Sequence, residues 1–528
     1  MTPPARVGSL TELVAAWLPR QRWFAGKGQG TPRVELAAQM RLAGPGEAGE
    51  SVLSVVTATS GDTAPATYQV PLTLHPHPVP GLEHALLGVL EPPDGRPRWV
   101  YDGPHDPLFV QPWLRLLLEG ADSVRLPDGE PVAAAVTASV GHMGPGVAGT
   151  GTGGTATGAV GAGTGTVETG VVTPGTASTT TMLGEAAGIA TSWARGVRLG
   201  RGPAPTASAR VLHGEQSNTS LIVDGDGAAP VIVKLFRLLQ DGANPDVVVQ
   251  PALAAAGCDR VPRPVGWLEG TWSAGSGPVV HGHLAYACEY LPGSEDGWQL
   301  ACAAVGAGKV FTAEAQALGA ATAGVHAALR QALPTRATGA TELAALAANL
   351  MSRLRWAVHE APQLDRYAGH AIDLVQQVRG IDSAPPLQQI HGDFHLGQVL
   401  RSPGRGWVLL DFEGEPLRPL AERMRPDLAL RDVAGMLRSF DYAAGHACIG
   451  ATPGEPRLVS AASWVQDCRE AFLNGYTEVA GRDPRADAVL LAALELDKAF
   501  YEVVYEARNR PDWVEIPLSA VRRLVAEG

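Results

Sequence analysis

The sequence predicts an α+β chain of two lobes with an additional N-terminal α+β cap and a mostly helical C-lobe. Three observations carry this expectation. Short apolar runs of strand type recur through the first half, as at Ser51 to Thr57, Tyr68 to Leu74 and Val231 to Leu235. From Gly297 onward the apolar spacing becomes helical. One polar segment, QIHGDFHLGQVLRSPGRGWVLLDFEGEP from Gln389 to Pro416, interrupts those helices with a loop–strand–loop pattern.

The elements follow in order. Residues 1–105 combine a short helix (Leu10 to Leu18), the RQRWFAGKG segment and strand-like runs, and read as the cap. Residues 106–291 read as an intermediate segment and N-lobe. They open with a helix from Phe109 to Leu118 that ends near Gly120. Within them, 141–181 is almost entirely Gly, Thr, Ala and Val without hydrophobic period, the composition of a flexible low-complexity insert. It lacks a preceding strand and a following lysine, so a phosphate-loop role is not expected. Ala209 to Arg237 is a strand–turn–strand pattern with its turn at Gln216, Ser217, Asn218 and Thr219 and with Lys234 on the second strand. Apolar neighbours Ile232, Val233, Leu235 and Phe236 argue for a buried, purposeful lysine rather than one snorkelling to solvent. LAYACEYL (Leu284 to Leu291) is a further strand before Pro292-Gly293. Residues 292–528 form the helical C-lobe, with helices expected at 314–329, 341–357, 364–378, 431–442, 460–473 and 486–508.

The polar segment supplies the chemistry. His391-Gly392-Asp393 is followed by Gln398 and, after an apolar run, by Asp411-Phe412-Glu413. Phosphoryl transfer needs a carboxylate beside the attacking hydroxyl, and an amide oxygen and second carboxylate to hold Mg²⁺ against the phosphates. Asp393 fits the first role, Gln398 the second and Asp411 the third. Glu413 either completes the metal shell or caps the loop. His391 is expected to hold loop geometry, and Asp432 to tie the catalytic loop. A lysine strand, a hinge near Glu289 to Leu291 and a helical lobe containing this segment together make a bilobal protein-kinase-like layout. ATP and Mg²⁺ are the implied cofactors. In this layout Gln216, Ser217, Asn218, Thr219 and Lys234 face phosphate, and the backbone at Glu289 and Leu291 faces adenine. DFE in place of DFG, with no APE segment following, argues against a protein kinase.

Composition excludes other classes. The chain has 528 residues, 45% hydrophobic content, a net charge of -12 and no basic block, which disfavours nucleic acid and anionic membrane partners. Length alone suggests about three or four domains. Five scattered cysteines without metal spacing suit a reducing cytoplasm. Glu12, Arg20 and Arg22 break the N-terminus, so a signal peptide is not expected. No apolar run reaches the ~18 residues of a membrane span.

The chain resembles the actinobacterial maltokinases, sugar kinases on the aminoglycoside-phosphotransferase branch of kinase-like folds. RQRWFAGKG, EQSNTS (Glu215 to Ser220), KLFR (Lys234 to Arg237), YLPGSEDGW (Tyr290 to Trp298), HGDFHLGQ, DFEGEP, the stretch from Leu420 to Tyr442 and KAFYEVVYEARNRPDW (Lys498 to Trp513) carry the resemblance. It implies a cytoplasmic, monomeric enzyme that converts ATP and maltose to ADP and maltose 1-phosphate for glycogen or α-glucan synthesis. It also implies association with a trehalose/maltose-interconverting enzyme. His395, Lys498, Tyr501, Glu502, Tyr505, Glu506 and Arg508 are its expected sugar contacts. Tyr501, Tyr505 and Arg508 share one helix face, Glu502 and Glu506 the adjacent stripe, and spacing does not decide which stripe meets the sugar. The family has a glutamate soon after Asn-Pro-Asp that pairs with the strand lysine. Here Asn244-Pro245-Asp246 is followed by three valines, Val247 to Val249, so either Asp246 substitutes or phosphate alone holds Lys234. Two alternatives remain open: a glucosamine or aminoglycoside kinase, for which Glu502 and Glu506 would bind amines, and a non-catalytic nucleotide-binding scaffold.

Overall fold

The structure, a computed structural model, describes residues 5–46, 49–61, 63–91, 95–119, 181–184, 192–200, 202–204, 207–212, 217–225, 227–273, 278–415, 418–450 and 455–527. The Gly/Thr insert expected at 141–181 lies almost wholly outside the described residues, as does Gln216.

The cap contains β1 (Arg6–Val7), α1 (Leu10–Trp17), β2 (Arg33–Gly46), β3 (Gly49–Thr59), β4 (Ala66–His75), β5 (Leu86–Leu90) and β6 (Arg98–Asp102), followed by α2 (Pro107–Glu119). Ser9 caps α1 by accepting the Glu12 N–H, and Leu13, Val14 and Trp17 turn inward onto the sheet. The sheet runs β1-β5-β6-β4-β3-β2.

The N-lobe sheet is made by β7 (Thr181–Gly184), β8 (Ser192–Arg198), β9 (Ala209–Val211), β10 (Asn218–Val223) and β11 (Val231–Phe236). After the short β12 (Leu238–Leu239) and α3 (Pro245–Ala255), β13 (Pro264–Ser273) and β14 (Val279–Glu289) complete it. Its order is β7-β8-β13-β14-β11-β10-β9. Alternation along β11 buries Val231, Val233 and Leu235 and sends Lys234 to the opposite face.

Cap and N-lobe share one core. Met40, Leu53 and Val55 of the cap, Trp113 and Leu117 of α2, and Leu221, Val233 and Leu284 of the N-lobe belong to a single buried cluster. Polar ties reinforce it: β12 pairs with β4, and the Gln69 amide donates to the carbonyls of Phe236 and Leu284, both at 2.8 Å. The fully buried Arg237 donates to both carboxylate oxygens of Asp102 (2.8 and 3.0 Å) and lies over the Trp23 ring.

The C-lobe begins with β15 (Glu295–Asp296), α4 (Gly297–Gly306), α5 (Thr312–Ala332), α6 (Ala340–Glu360) and α7 (Asp365–Val378). Then come β16 (Val399–Ser402), β17 (Gly406–Leu409), α8 (Leu420–Arg423), α9 (Leu430–Ala447), α10 (Pro456–Ala480), α11 (Ala488–Asn509) and α12 (Glu515–Glu527). Helices α5 and α10 touch backbone to backbone. A Cβ at Gly319 would stand 2.0 Å from the Phe472 carbonyl oxygen, and one at Gly475 would stand 1.9 Å from that of Gln316. A second cluster packs α6, α7, α11 and α12 together and fixes α11 against the main helical core. The small β15-β16-β17 sheet holds the two polar loops at one end. No helix among the described residues is long and apolar enough to cross a membrane.

Candidate active site

The loop before β16 and the loop after β17 meet below Lys234. Asp432, at the start of α9, fixes the first: its carboxylate accepts the N–H groups of His391 (2.7 Å) and Gly392 (2.9 Å). His326 reaches the same carboxylate at 3.0 Å and is itself held by the Tyr476 hydroxyl. Burial would raise the Asp432 carboxyl, but His326 and the loop N–H groups hold it below the usual range. The His391 Nε2–H donates to the Leu410 carbonyl at 2.7 Å, joining the two loops, and its ring packs on Phe394 and Phe412. The expectations for Asp432 and for the geometric role of His391 agree with this arrangement.

Asp411 follows with φ +60°, the one non-glycine residue in the left-handed region among those described. Backbone of that kind is costly and concentrates at functional sites. Lys234 gathers three carboxylates, donating to Asp411 (2.7 Å), Asp246 (2.8 Å) and Glu413 (3.1 Å). Asp246 therefore replaces the missing helix glutamate. Asn244 caps α3 through the Asp246 N–H, and Pro245 fits the first turn, so the helix start itself delivers the carboxylate. Asp246 Oδ1 also accepts the Phe412 N–H (2.6 Å) and the Gln250 amide (2.8 Å).

Burial lowers the affinity of Lys234 for its proton, but the three carboxylates outweigh it and hold the ammonium well above its ordinary range. The Glu413 carboxyl is pushed up to about 7 by burial, with repulsion from Asp411 and Asp246 adding to it. Asp411 goes the other way. Its burial is overcome by the Lys234 charge and hydrogen bond, which keep it low. Asp246, Asp411 and Glu413 offer carboxylate oxygens all within 4.8 Å of one another. The side-chain amide of Gln398 makes no hydrogen bond among the described residues, while the Gln398 backbone carbonyl accepts the Leu410 N–H next to Asp411. Hard oxygen donors in this number suit Mg²⁺.

The phosphate-side residues depart from their expected places. Asn218 and Thr219 are not turn residues. They pair in register with Phe236 and Leu235 and are buried, because β10 begins at Asn218. Asn218 donates to Glu413 at 2.8 Å, and the Thr219 hydroxyl accepts from Arg237 at 2.8 Å, so the Thr219 oxygen is already engaged. Ser217 is exposed at the start of the hairpin arm. At the interlobe strand, the Glu289 N–H donates to Arg263 O (2.8 Å) and that of Tyr290 to Pro230 O (3.0 Å). Among the described residues the Leu291 N–H meets no protein carbonyl. The Glu289 side chain pairs with Arg263 and Arg405.

Asp393 sits opposite, 3.3 Å from the Lys498 ammonium of α11. Burial would raise its carboxyl, but Lys498, with smaller contributions from His395 and His391, holds it below the usual range. Burial also keeps the His395 ring below its ordinary range, and its Nδ1 accepts the Gly397 N–H. Along α11 the two stripes part. Glu502 accepts from Arg438 at 2.7 and 2.9 Å; Glu506 is buried and accepts from Arg510 (2.6 and 2.8 Å) and the Tyr442 hydroxyl (3.1 Å). Both carboxylates are thus already engaged by arginines inside the lobe. The other stripe is open. Lys498 lies 5.8 Å from the Tyr501 ring, which stacks on Trp356 (6.2 Å) and leads to Tyr505 (6.5 Å). Trp356 and Tyr505 are 39% and 41% exposed. Arg508 is tied to Glu360 at the far end of this stripe.

Arg353, Trp356 and Glu415 were missed in the sequence. Arg353 lies between the Tyr501 ring and Asp497, and Glu415 lies on the wall beside Asp393 and Lys498. The only available signal was the second glutamate of DFEGEP and the i, i+3 spacing of Arg353 and Trp356 on α6.

Residues 208–486 match the phosphotransferase enzyme family, and residues 17–106 match the maltokinase N-terminal cap domain. The chain is 33% identical over 345 residues to a glucosamine kinase of Streptacidiphilus jiangxiensis, covering 62% of this chain and 75% of that one. It is 32% identical over 335 residues to a glucosamine kinase of Mycolicibacterium smegmatis (strain ATCC 700084 / mc(2)155), covering 60% and 80%. A solved glucosamine kinase (crystal form B) is similar in fold, with a TM-score of 0.57 at 24% identity over 98% of this chain and 100% of that one. With a kinase-like site under a shared cap and N-lobe core, the chain belongs to the phosphotransferase enzyme family, carries a maltokinase-type N-terminal cap, and is a phosphotransferase with an alcohol group as acceptor.

Proposed function

We propose that this enzyme transfers the γ-phosphate of ATP to the anomeric hydroxyl of maltose, giving ADP and maltose 1-phosphate. The observation that carries the reading is the open aromatic run of Tyr501, Trp356 and Tyr505, which begins beside the Asp393–Lys498 pair. Flat rings suit the apolar faces of pyranoses, and the run is long enough for a second sugar ring. Glu502 and Glu506 are engaged by arginines, so an ammonium there would have to displace a guanidinium.

Lys234 contacts the phosphates, the Leu291 N–H receives the purine, and Ser217 lies at the phosphate end. Gln398, Asp411 and Glu413 would hold Mg²⁺, which supplies neutralisation of phosphate charge when bound. Asp393 orients the acceptor hydroxyl and takes its proton as the new O–P bond forms. Lys498 keeps that carboxylate ionised and fixed, so positioning and electrostatics carry most of the rate.

A second reading is a glucosamine kinase. The names of the two relatives favour it, and so does Glu415, whose buried Oε1 has no hydrogen-bond partner among the described residues. Phosphorus NMR of reactions with ATP, Mg²⁺ and either maltose, glucose or glucosamine separates the readings. An anomeric phosphate formed fastest from maltose is expected. Faster formation of glucosamine 6-phosphate would replace the first reading by the second.

A further inference from the structure

A cavity of about 460 Å³ opens off the Asp393 cleft, between α6 and the segment that follows Asp411-Phe412-Glu413. It shares Gly392, Arg353, Glu415, Arg418 and Arg431 with the smaller recess beside Asp393 and Lys498. Its size falls in the range of small-molecule sites. Six arginines line it against four carboxylates, in a chain whose net charge is -12.

Those arginines are not equally committed. Arg431 is held by Asp427 (2.7 Å) and Asp497 (3.3 Å), Arg418 by Glu415 (2.9 Å), and Arg353 by Asp497 (2.7 Å). Arg336 is different: its one carboxylate contact, to Glu342, is 3.9 Å long, and its side chain is exposed. Arg425 is exposed and forms no ion pair among the described residues. The backbone carrying Arg336 is fixed by paired hydrogen bonds with Leu387 (2.8 and 2.9 Å), and Gln388 pairs likewise with Asp427 (2.8 and 3.0 Å). The wall is therefore built rather than loose. At the inner end, Glu415 Oε1 is buried without a partner, while Oε2 accepts from Arg418. A buried carboxylate oxygen in that state is free to accept a hydrogen bond from a ligand hydroxyl or a water.

We propose that this cavity binds a phosphorylated sugar, with sugar hydroxyls donating to Glu415 and the phosphate dianion held by Arg336 and Arg425. Guanidinium groups recognise phosphate oxygens through paired charge-assisted hydrogen bonds. Because Glu415 and Arg353 also border the acceptor recess, occupancy hinders acceptor entry. A sugar phosphate then inhibits competitively with respect to the sugar. The site does not depend on maltose being the acceptor.

The test is calorimetric titration of the full chain, with its nucleotide site filled by a non-hydrolysable ATP analogue and Mg²⁺. The probes are α-glucose 1-phosphate, inorganic phosphate and glucose. Glucose 1-phosphate should bind more tightly than either of the others. The double variant Arg336→Gln/Arg425→Gln should weaken it by about tenfold or more, as loss of two charge-assisted contacts implies. Its kcat with the preferred acceptor should be unchanged. The single reversal Arg425→Glu, on an exposed residue, should do the same and guards against a folding defect in the double variant. Unchanged affinity in both variants would place the ligand elsewhere and overturn the proposal. Inorganic phosphate binding as tightly as glucose 1-phosphate would also overturn it, because the cavity would then not read a sugar.

Discussion

The Lys234 ammonium donates to Asp246 at 2.8 Å, and the other oxygen of that carboxylate receives the Phe412 N–H at 2.6 Å. One side chain at the start of α3 thus couples the lysine strand to the loop that carries Asp411. The first turn of the helix supplies this partner, because Asn244 caps it and turns Asp246 inward.

Asp246→Ala should therefore hurt both stability and nucleotide use. Removing one member of a buried ion pair costs about 3–5 kcal/mol when the partner charge is left uncompensated. Asp411 and Glu413 remain beside Lys234, so the lower end of that range is expected. Chemical denaturation should show the loss, and the KM for ATP should rise. A variant with wild-type stability and KM would mean that Lys234 is held without Asp246.

Much of this architecture was legible in the sequence. The helices read at 314–329, 341–357 and 486–508 correspond to α5, α6 and α11, and the cap strands at Ser51 to Thr57 and Tyr68 to Leu74 lie inside β3 and β4. Periodicity is a local signal, and those segments carry it strongly. The failures share a physical cause: they depend on what faces a residue across the fold. Asn218 and Thr219 look like turn residues, yet β11 recruits them into a strand, and Arg237 and Glu413 consume their polar groups. Spacing placed Glu502 and Glu506 on one stripe but could not reveal Arg438 and Arg510 against it. Arg353 and Trp356 came into view only when α6 packed beside α11.

Asp393→Asn should leave the melting temperature near wild type and reduce turnover by about 10²–10⁴, the usual cost of removing a general base. Lys498 would lose its carboxylate partner but remain near Glu415 and Glu502. Binding of an ATP analogue, followed by Mg²⁺-dependent thermal stabilisation, should persist. Near wild-type turnover would remove Asp393 from the acceptor role.

Acid should loosen the same region through His283. Burial pushes its ring down to about 4, and neutral Nδ1 accepts the Asn244 N–H at 2.9 Å. Unfolded histidine titrates near ~6.5. Between those values the unfolded chain binds a proton that the folded chain refuses. The contribution of His283 is therefore complete above pH ~6.5 and is lost as the pH falls toward 4. Glu269 opposes this shift and His281 adds to it. Unfolding free energies of wild type and His283→Phe should converge as the pH is lowered from 7 to about 4.5. Parallel pH profiles would show that His283 does not set the slope.

The two stripes of α11 predict opposite phenotypes for neighbouring substitutions. Tyr505 is exposed at the end of the aromatic run, so Tyr505→Ala removes a flat face without opening the core. The KM for maltose should rise several-fold, with the KM for ATP and the melting temperature almost unchanged. Remote contacts also position the reacting hydroxyl, so kcat should fall modestly as well. Glu506 is buried between Arg510 and Tyr442. Glu506→Ala strips the Tyr442 hydroxyl of its acceptor and frees Arg510, so the loss should appear as stability, about 2–4 kcal/mol by denaturation. Its KM values, measured well below the lowered melting temperature, should stay close to wild type. If Glu506→Ala instead raises the acceptor KM selectively while leaving stability intact, the inward stripe reaches the sugar after all, and the aromatic face is not the acceptor platform.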